Sequence, residues 1–182
     1  MTTLSTGEIN MNTAVFKIKD SDKPPRDFNN CNGGISVVIP VFGSEGIILE
    51  LHKRLTNELN SLARDYEVIF VNDGSPDNVW AKIQGIAATD FHVKAISFRR
   101  NFGYDSALMA GLSYANFPYI VIMDDDLQHA PEDIPRLLAE IEKGFDVVYG
   151  NYRKKKHNFI NEDEMNLYRK LVCTPYKRSQ HR

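Results

Sequence analysis

Residues 119–128 read Y-I-V-I-M-D-D-D-L-Q. Five apolar residues, Tyr119 to Met123, run straight into Asp124, Asp125 and Asp126, and Leu127 follows at once. An apolar run with no polar alternation marks a strand buried on both faces, as in a parallel sheet. Adjacent carboxylates repel one another, so three of them at the mouth of a buried strand make a poor surface turn. Such a cluster is costly unless a cation or a ligand donor neutralises it.

The same pattern recurs along the chain. Ile35–Ile39 and Glu67–Val71 are also apolar nearly throughout, and Val93–Phe98 and Asp146–Tyr149 are two further β-like runs. Helical patterns lie between them. Residues 45–63 place Ile47, Ile48, Leu51, Leu55, Leu59 and Leu62 at spacings of three and four. Residues 77–88 carry Val79, Trp80, Ile83 and Ala87, and residues 104–116 carry Ala107, Leu108, Ala110, Gly111 and Leu112. Residues 131–143 start with Pro131, Glu132 and Asp133, a favourable first turn, and Gly144 ends that helix. Alternating strands and helices predict an α/β fold, a doubly wound and mostly parallel sheet flanked by helices.

The bulk properties set limits. A chain of 182 residues suffices for one domain with a sizeable core. Its formal net charge of −2 argues against a general nucleic-acid binder. The charge is uneven: residues 151–182 hold nine Lys/Arg against three Asp/Glu, a net +6, and the remainder is −8. Cys31 and Cys173 are far apart and read as free thiols in a reducing compartment. No apolar stretch reaches the roughly 18 residues that span a bilayer, and the N-terminus lacks a signal pattern. The expected location is therefore cytoplasmic. Residues 1–33 are polar and aperiodic and read as a flexible arm, 34–160 as the folded domain, and 161–182 as a basic tail, partly helical over about 162–172 or disordered.

Every unusual local sequence falls where a strand ends. The first strand runs into Pro40-Val41-Phe42-Gly43-Ser44-Glu45, the second into Asn72-Asp73-Gly74-Ser75-Pro76-Asp77, the third into Arg99-Arg100-Asn101-Phe102-Gly103 and the fourth into the Asp triplet and Gln128. Open α/β sheets bind ligands at the carboxyl ends of their strands. Taken alone, Asn72-Asp73-Gly74-Ser75 is an ordinary turn, Arg100 a solvated charge and His129 a loop residue. Taken together, the four ends make a pocket. Asp and Gln oxygens are hard ligands suited to Mg2+ or Mn2+, ions that keep waters and hold a substrate diphosphate.

In this order, Ile35-Ser-Val-Val-Ile-Pro-Val-Phe42, Val71-Asn-Asp-Gly-Ser75, Arg100-Asn-Phe-Gly103, Met123-Asp-Asp-Asp-Leu-Gln128 and Pro131-Glu132 resemble family 2 glycosyltransferases of the GT-A fold. They are most similar to the branch of dolichol-phosphate mannose synthase and the bacterial polyprenyl-phosphate sugar transferases. The resemblance covers about residues 35–157. It implies an inverting, metal-dependent transferase that takes a nucleotide-diphosphate sugar as donor. It places Pro40 and Val41 along the nucleoside, Asp73 at the base and Arg100 on the nucleotide side. Glu45 and Asp125 fall in the substrate-binding loops. Asp124 is implied near the ribose and metal, and Asp126 with Gln128 at the metal and diphosphate, so that Asp124 and Asp126 hold the catalytic places. The implied acceptor is a polyprenyl phosphate. The alternatives are a sugar hydroxyl in polysaccharide synthesis, or a non-catalytic nucleotide-sugar-binding remnant. A receiver-type phosphotransfer domain also clusters Asp at strand ends, but gives no reason for Arg100-Asn-Phe-Gly103 or Leu127-Gln128.

Three departures from the family pattern stand out. Ser44 replaces a carboxylate in the loop after Pro40-Val41, Asp125 replaces a usual Ala, and Asn72 replaces a frequent Asp. Past about Ile160 the resemblance fades, so the chain is expected to be a donor-binding half, truncated before an acceptor region. The run Arg153-Lys154-Lys155-Lys156 fits contact with anionic lipid, placing the protein peripherally at the inner face of a membrane.

Overall fold

The computed structural model describes residues 13–16, 33–128, 130–145, 147–150 and 172–175. Its elements in chain order are β1 (Thr13–Phe16), β2 (Ile35–Val41), α1 (Ile48–Ser61), β3 (Tyr66–Asn72), α2 (Val79–Thr89), β4 (Val93–Phe98), α3 (Tyr104–Ser113) and β5 (Tyr119–Ile122). A 3-10 turn (Pro131–Asp133) then leads into α4 (Ile134–Ile141), followed by β6 (Val148–Tyr149) and β7 (Val172–Pro175).

The strands form one sheet in the order β1-β4-β3-β2-β5-β7-β6. Its centre, β4-β3-β2-β5, is parallel throughout. The chain steps outward from β2 to β3 to β4, then returns across β2 to lay down β5. Crossovers between parallel strands are right-handed. Steps in one direction therefore place α1 and α2 on one face, and the return step places α3 on the other. The packing follows this rule. Ile48, Leu51, Leu55 and Leu59 of α1 and Val79 and Ile83 of α2 share one core with Val37, Ile39 and Phe70. Ala107 of α3 lies in a second core with Val38, Ile69, Val71 and Ile96. All seven residues of β2 and of β3 are buried, as the uniformly apolar runs require. Close approach of α3 depends on Gly111, where an added Cβ would stand 2.3 Å from Val38 Cγ1.

The α/β architecture expected from the sequence is present, with two additions. Thr13–Phe16, within the expected arm, pairs antiparallel with β4. Val172–Pro175, within the expected tail, pairs antiparallel with both β5 and β6. Each is a four-residue strand whose partner is distant in sequence, so local pattern carries little of its signal. Both pairings of β7 are antiparallel, outside the parallel centre of the sheet. His129, the run 153–156 and the expected helix up to residue 171 lie outside the described residues.

A buried carboxylate locks the end of the sheet away from the strand-end loops. Glu67 is 3% exposed. Its Oε1 accepts hydrogen bonds from Ser36 Oγ at 2.7 Å and from the Asn116 backbone N–H at 2.6 Å. Its Oε2 accepts from Asn116 Nδ2 and pairs with Lys94 Nζ at 2.7 Å. Ser36 Oγ in turn accepts the Phe117 N–H. One side chain thus ties β2, β3, β4 and the α3–β5 connection together. Glu67→Leu should leave these donors without their acceptor and destabilise the fold by roughly 3 kcal/mol. Urea denaturation of the variant checks this, and an unchanged midpoint would remove Glu67 from the framework.

Candidate functional site

Strand order reverses between β2 and β5, and the physical opening begins at Pro40. Val38 C=O accepts the Met123 N–H, so Val38 directs its backbone groups towards β5. Backbone direction alternates along a strand, so Pro40 faces β5 as well, and it has no N–H to offer. Pairing between β2 and β5 accordingly stops at Val38↔Ile122, whereas pairing of β2 with β3 continues to Val41↔Asn72. The two strands part at the switch point and leave a crevice.

A cavity of about 320 Å³ occupies this crevice. Pro40, Val41 and Phe42 form the β2 side, and Asp124, Asp125 and Asp126 the β5 side. Asp73 lies at its floor from β3, and Asn101, Gly103 and Tyr104 reach it from the start of α3. The volume is in the range that holds a small organic ligand.

The three aspartates have different tasks. Asp125 Oδ2 accepts the Phe42 N–H at 3.0 Å and the Ser44 hydroxyl. It therefore bridges β5 to the loop after β2 across the crevice mouth. Burial, with the neighbouring Asp126 charge, holds its carboxyl above the usual carboxylate range despite those donors. Asp124 Oδ1 accepts the Tyr104 hydroxyl at 3.2 Å. Burial and the Asp124 charge push the Tyr104 phenol above the usual tyrosine range, which keeps it a hydrogen-bond donor. Asp126 Oδ1 accepts the Gln128 backbone N–H at 2.9 Å, closing a tight turn around Leu127 at φ 56°.

Asp73 is 4% exposed. Its two oxygens accept the Phe102 N–H at 2.7 Å and the Gly103 N–H at 2.9 Å. The base-recognition residue expected from the sequence thus also clamps the β4 loop onto β3. Gly74 allows this approach: at φ 63° its Cα faces the Arg100 backbone, and a Cβ would stand 2.3 Å from the Arg100 carbonyl carbon.

Three expected site residues stand elsewhere. Glu45 is turned to the α2 side, where it accepts the Asn78 N–H at 3.1 Å and pairs with Lys82 at 3.4 Å. Its backbone N–H donates to Asp77, and the preceding Gly43 N–H donates to Ser75, so the loop after β2 is sewn to the loop after β3. Arg100 lays its guanidinium over the Phe102 ring, 4.8 Å from the centroid, rather than into the cavity. Gln128 has an exposed side chain outside the cavity, because the left-handed turn at Leu127 redirects the chain. Its observed link to Asp126 is through its backbone N–H. Asp126 alone of that pair lines the cavity.

Phe42 and Asn101, from the strand-end segments, also line the cavity, and the sequence reading missed Tyr104. Tyr104 had no visible signal, since an aromatic at a helix start reads as packing. Ser44 and Asp125 had one: both depart from the family pattern, and the structure hydrogen-bonds them to each other. The carboxylate missing at 44 is present across the same junction at 125.

The GT-A fold is shared with solved glycosyltransferase structures. Glucosyl-3-phosphoglycerate synthase from Mycobacterium tuberculosis, in complex with Mn2+, UDP and phosphoglyceric acid, is 22% identical, with a TM-score of 0.55 over 72% of this chain and 49% of that chain. A mannosyltransferase from Pyrobaculum calidifontis, in complex with GDP-mannose and Mn2+, is 20% identical, with a TM-score of 0.50 over 57% of this chain and 31% of that chain. The chain thus spans half or less of the length of these structures. Residues 36–180 match the glycosyl transferase family 2 model, and the chain belongs to that family.

Exchange of the bridging carboxylate tests the junction. Asp125→Ala should cost about 1–3 kcal/mol, because the Phe42 N–H and Ser44 hydroxyl lose their acceptor. Ser44→Glu alone should destabilise by setting a second carboxylate beside the first. The double variant Ser44→Glu/Asp125→Ala should recover most of the loss. Asp125 takes up a proton in the folded protein at a higher pH than in the unfolded chain. Its protonation therefore stabilises the fold at low pH, and that gain is lost as pH rises through its raised folded pKa. Asp125→Asn keeps an acceptor without the charge and should flatten this slope. Calorimetric unfolding across the acidic range measures all four variants, and additive losses in the double variant would refute the exchange.

Proposed function

We propose that the chain holds the donor site of an inverting glycosyltransferase that takes a nucleotide-diphosphate sugar with Mg2+ or Mn2+ and passes the sugar to a polyprenyl phosphate. The observation that carries this reading is the acidic cavity at the β2–β5 switch point, with Asp124 and Asp126 from the β5 end, Asp73 from the β3 end and Pro40, Val41 and Phe42 from the β2 end. The apolar wall suits a nucleoside, and the carboxylates suit the hard ion that accompanies a diphosphate.

The residues present fit such an ion. Asp124 and Asp126 offer hard oxygen donors on one rim of the cavity, and Asp125 is already committed to the β2 loop. Among the described residues no three His, Cys, Asp or Glu side chains converge into a metal cage. Asp124 and Asp126 would hold the ion, with water and the diphosphate filling its other positions. When bound, it would offset charge on the leaving diphosphate. The protein's own part is to hold the carboxylates in place before the donor arrives and to seat the nucleoside against Pro40 and Val41. The names of the two similar structures support the donor class, since those proteins bind UDP or GDP-mannose together with Mn2+.

A phosphate acceptor is already anionic at neutral pH and needs less help from a general base than a hydroxyl does. No His lines the cavity among the described residues. The basic run 153–156 supports a site of action at the membrane surface, on the cytoplasmic side. No helix among the described residues is long and apolar enough to cross a bilayer.

Titration calorimetry with UDP and GDP, with and without Mn2+, tests the donor site. Asp126→Ala should abolish the Mn2+-dependent part of the affinity and leave the fold intact. Equal affinity in wild type and variant would discard the metal assignment. Transfer of labelled sugar to polyprenyl phosphate, against a sugar-hydroxyl acceptor, then decides the acceptor class.

The membrane contact makes a separate prediction. Each basic residue near an anionic surface contributes on the order of 1 kcal/mol, screened by salt. The protein should sediment with anionic vesicles at low salt and not with neutral ones. Changing Lys154, Lys155 and Lys156 together to Gln should remove most of that binding. Binding that ignores lipid charge would rule out the basic run as an anchor.

A further inference from the structure

Tyr104 has no role in the reading above, yet its side chain joins the start of α3 to Asp124, a catalytic-place carboxylate on the β5 side of the crevice. It is the first residue of α3, and its half-exposed ring lies on the cavity wall. Its hydroxyl donates to Asp124 Oδ1 at 3.2 Å, twenty residues along the chain. The start of α3 is itself fixed. Gly103, at φ 93°, turns the chain into the helix, and its N–H is held by Asp73 at 2.9 Å. The Phe102 N–H is held by the other Asp73 oxygen. A continuous line of hydrogen bonds and backbone therefore runs from the end of β3, through Asp73, Phe102, Gly103 and Tyr104, to the end of β5 at Asp124.

We propose that Tyr104 is a positioning residue for donor binding, its phenol O–H fixing the Asp124 carboxylate in the orientation that receives the nucleotide diphosphate. A carboxylate on a short side chain at the end of a strand has two broad torsions to settle. A donor on one oxygen fixes the plane of the group and leaves its second oxygen directed by that choice. Without the hydroxyl the carboxylate loses this constraint, and the ordering then left to ligand binding weakens the complex. Placement of the phenol on α3 also links the β3 clamp to the β5 carboxylate.

This inference rests on the donor-site reading, and a double-mutant cycle separates the two. Wild type, Tyr104→Phe, Asp124→Asn and the double variant are titrated with UDP and with GDP, each with Mn2+, and their thermal unfolding is recorded. Tyr104→Phe should weaken the better nucleotide five- to tenfold while its unfolding midpoint stays near that of wild type. Asp124→Asn should weaken it at least as much, and the double variant no further, because Tyr104 acts through Asp124. Wild-type affinity in Tyr104→Phe overturns the positioning role and leaves the donor site standing. Independent, multiplicative losses in the double variant also overturn it, since Tyr104 would then act by its own contact or through the fold. Wild-type protein that binds neither nucleotide overturns the donor-site reading and this one with it.

Discussion

The handedness of the crossovers is the constraint on which the site depends. A right-handed step repeated from β2 to β4 uses one face of the sheet, so the return to β5 must use the other. That return places β5 beside β2 with no connection crossing above the pair. It also leaves α3 starting from the far side of the crevice, at Tyr104. The crevice is a product of topology, and Pro40 completes it locally by ending the β2–β5 ladder. Ligand-facing chemistry needs only short loops after that, since the strand ends already converge.

Those loops hold one another in pairs. Asn72 bonds Ser97 and its own loop at Ser75, Ser75 and Asp77 receive the N–H groups of Gly43 and Glu45, and Asp73 receives those of Phe102 and Gly103. Asp125 closes the circuit to Phe42 and Ser44. Polar side chains at strand ends thus act mainly on backbone N–H groups that have no partner in the sheet. This explains why a carboxylate can sit at the bottom of the cavity without a cation beside it: Asp73 is satisfied by backbone donors. Asp124 and Asp126 accept the Tyr104 hydroxyl and the Gln128 N–H, and both line the cavity.

Much of this was legible in the sequence. Uniform apolar runs at Ile35–Ile39, Glu67–Val71 and Tyr119–Met123 identified the central strands because burial on both faces leaves no alternation. Polar loops at their ends pointed to the cavity because the fold class dictates where the strand ends open. What could not be read was side-chain direction. Glu45, Arg100 and Gln128 have suitable chemistry and suitable chain positions, but Lys82, the Phe102 ring and the turn at Leu127 take them elsewhere. Strands β1 and β7 escaped for another reason: four residues carry too little pattern, and their partners lie far away in sequence. Ser44 and Asp125 were each visible as anomalies, and only their 81-residue separation hid that they were one feature.

Leu127 shows how the β5 end is held against its own repulsion. A bulky residue at positive φ costs on the order of 1–3 kcal/mol. Two local features offset this. The Leu127 side chain packs against the larger core, and burying a leucine stabilises by about 1.5–3 kcal/mol when complete. The turn itself lets Asp126 accept the Gln128 N–H, satisfying a backbone donor as the strand ends. The chain leaves the extended conformation after β5 and bends through residues 125–128, and all three carboxylates line the crevice, where the middle one braces the β2 loop. The apolar residue that follows the acidic triplet therefore anchors the end of that bend to the core.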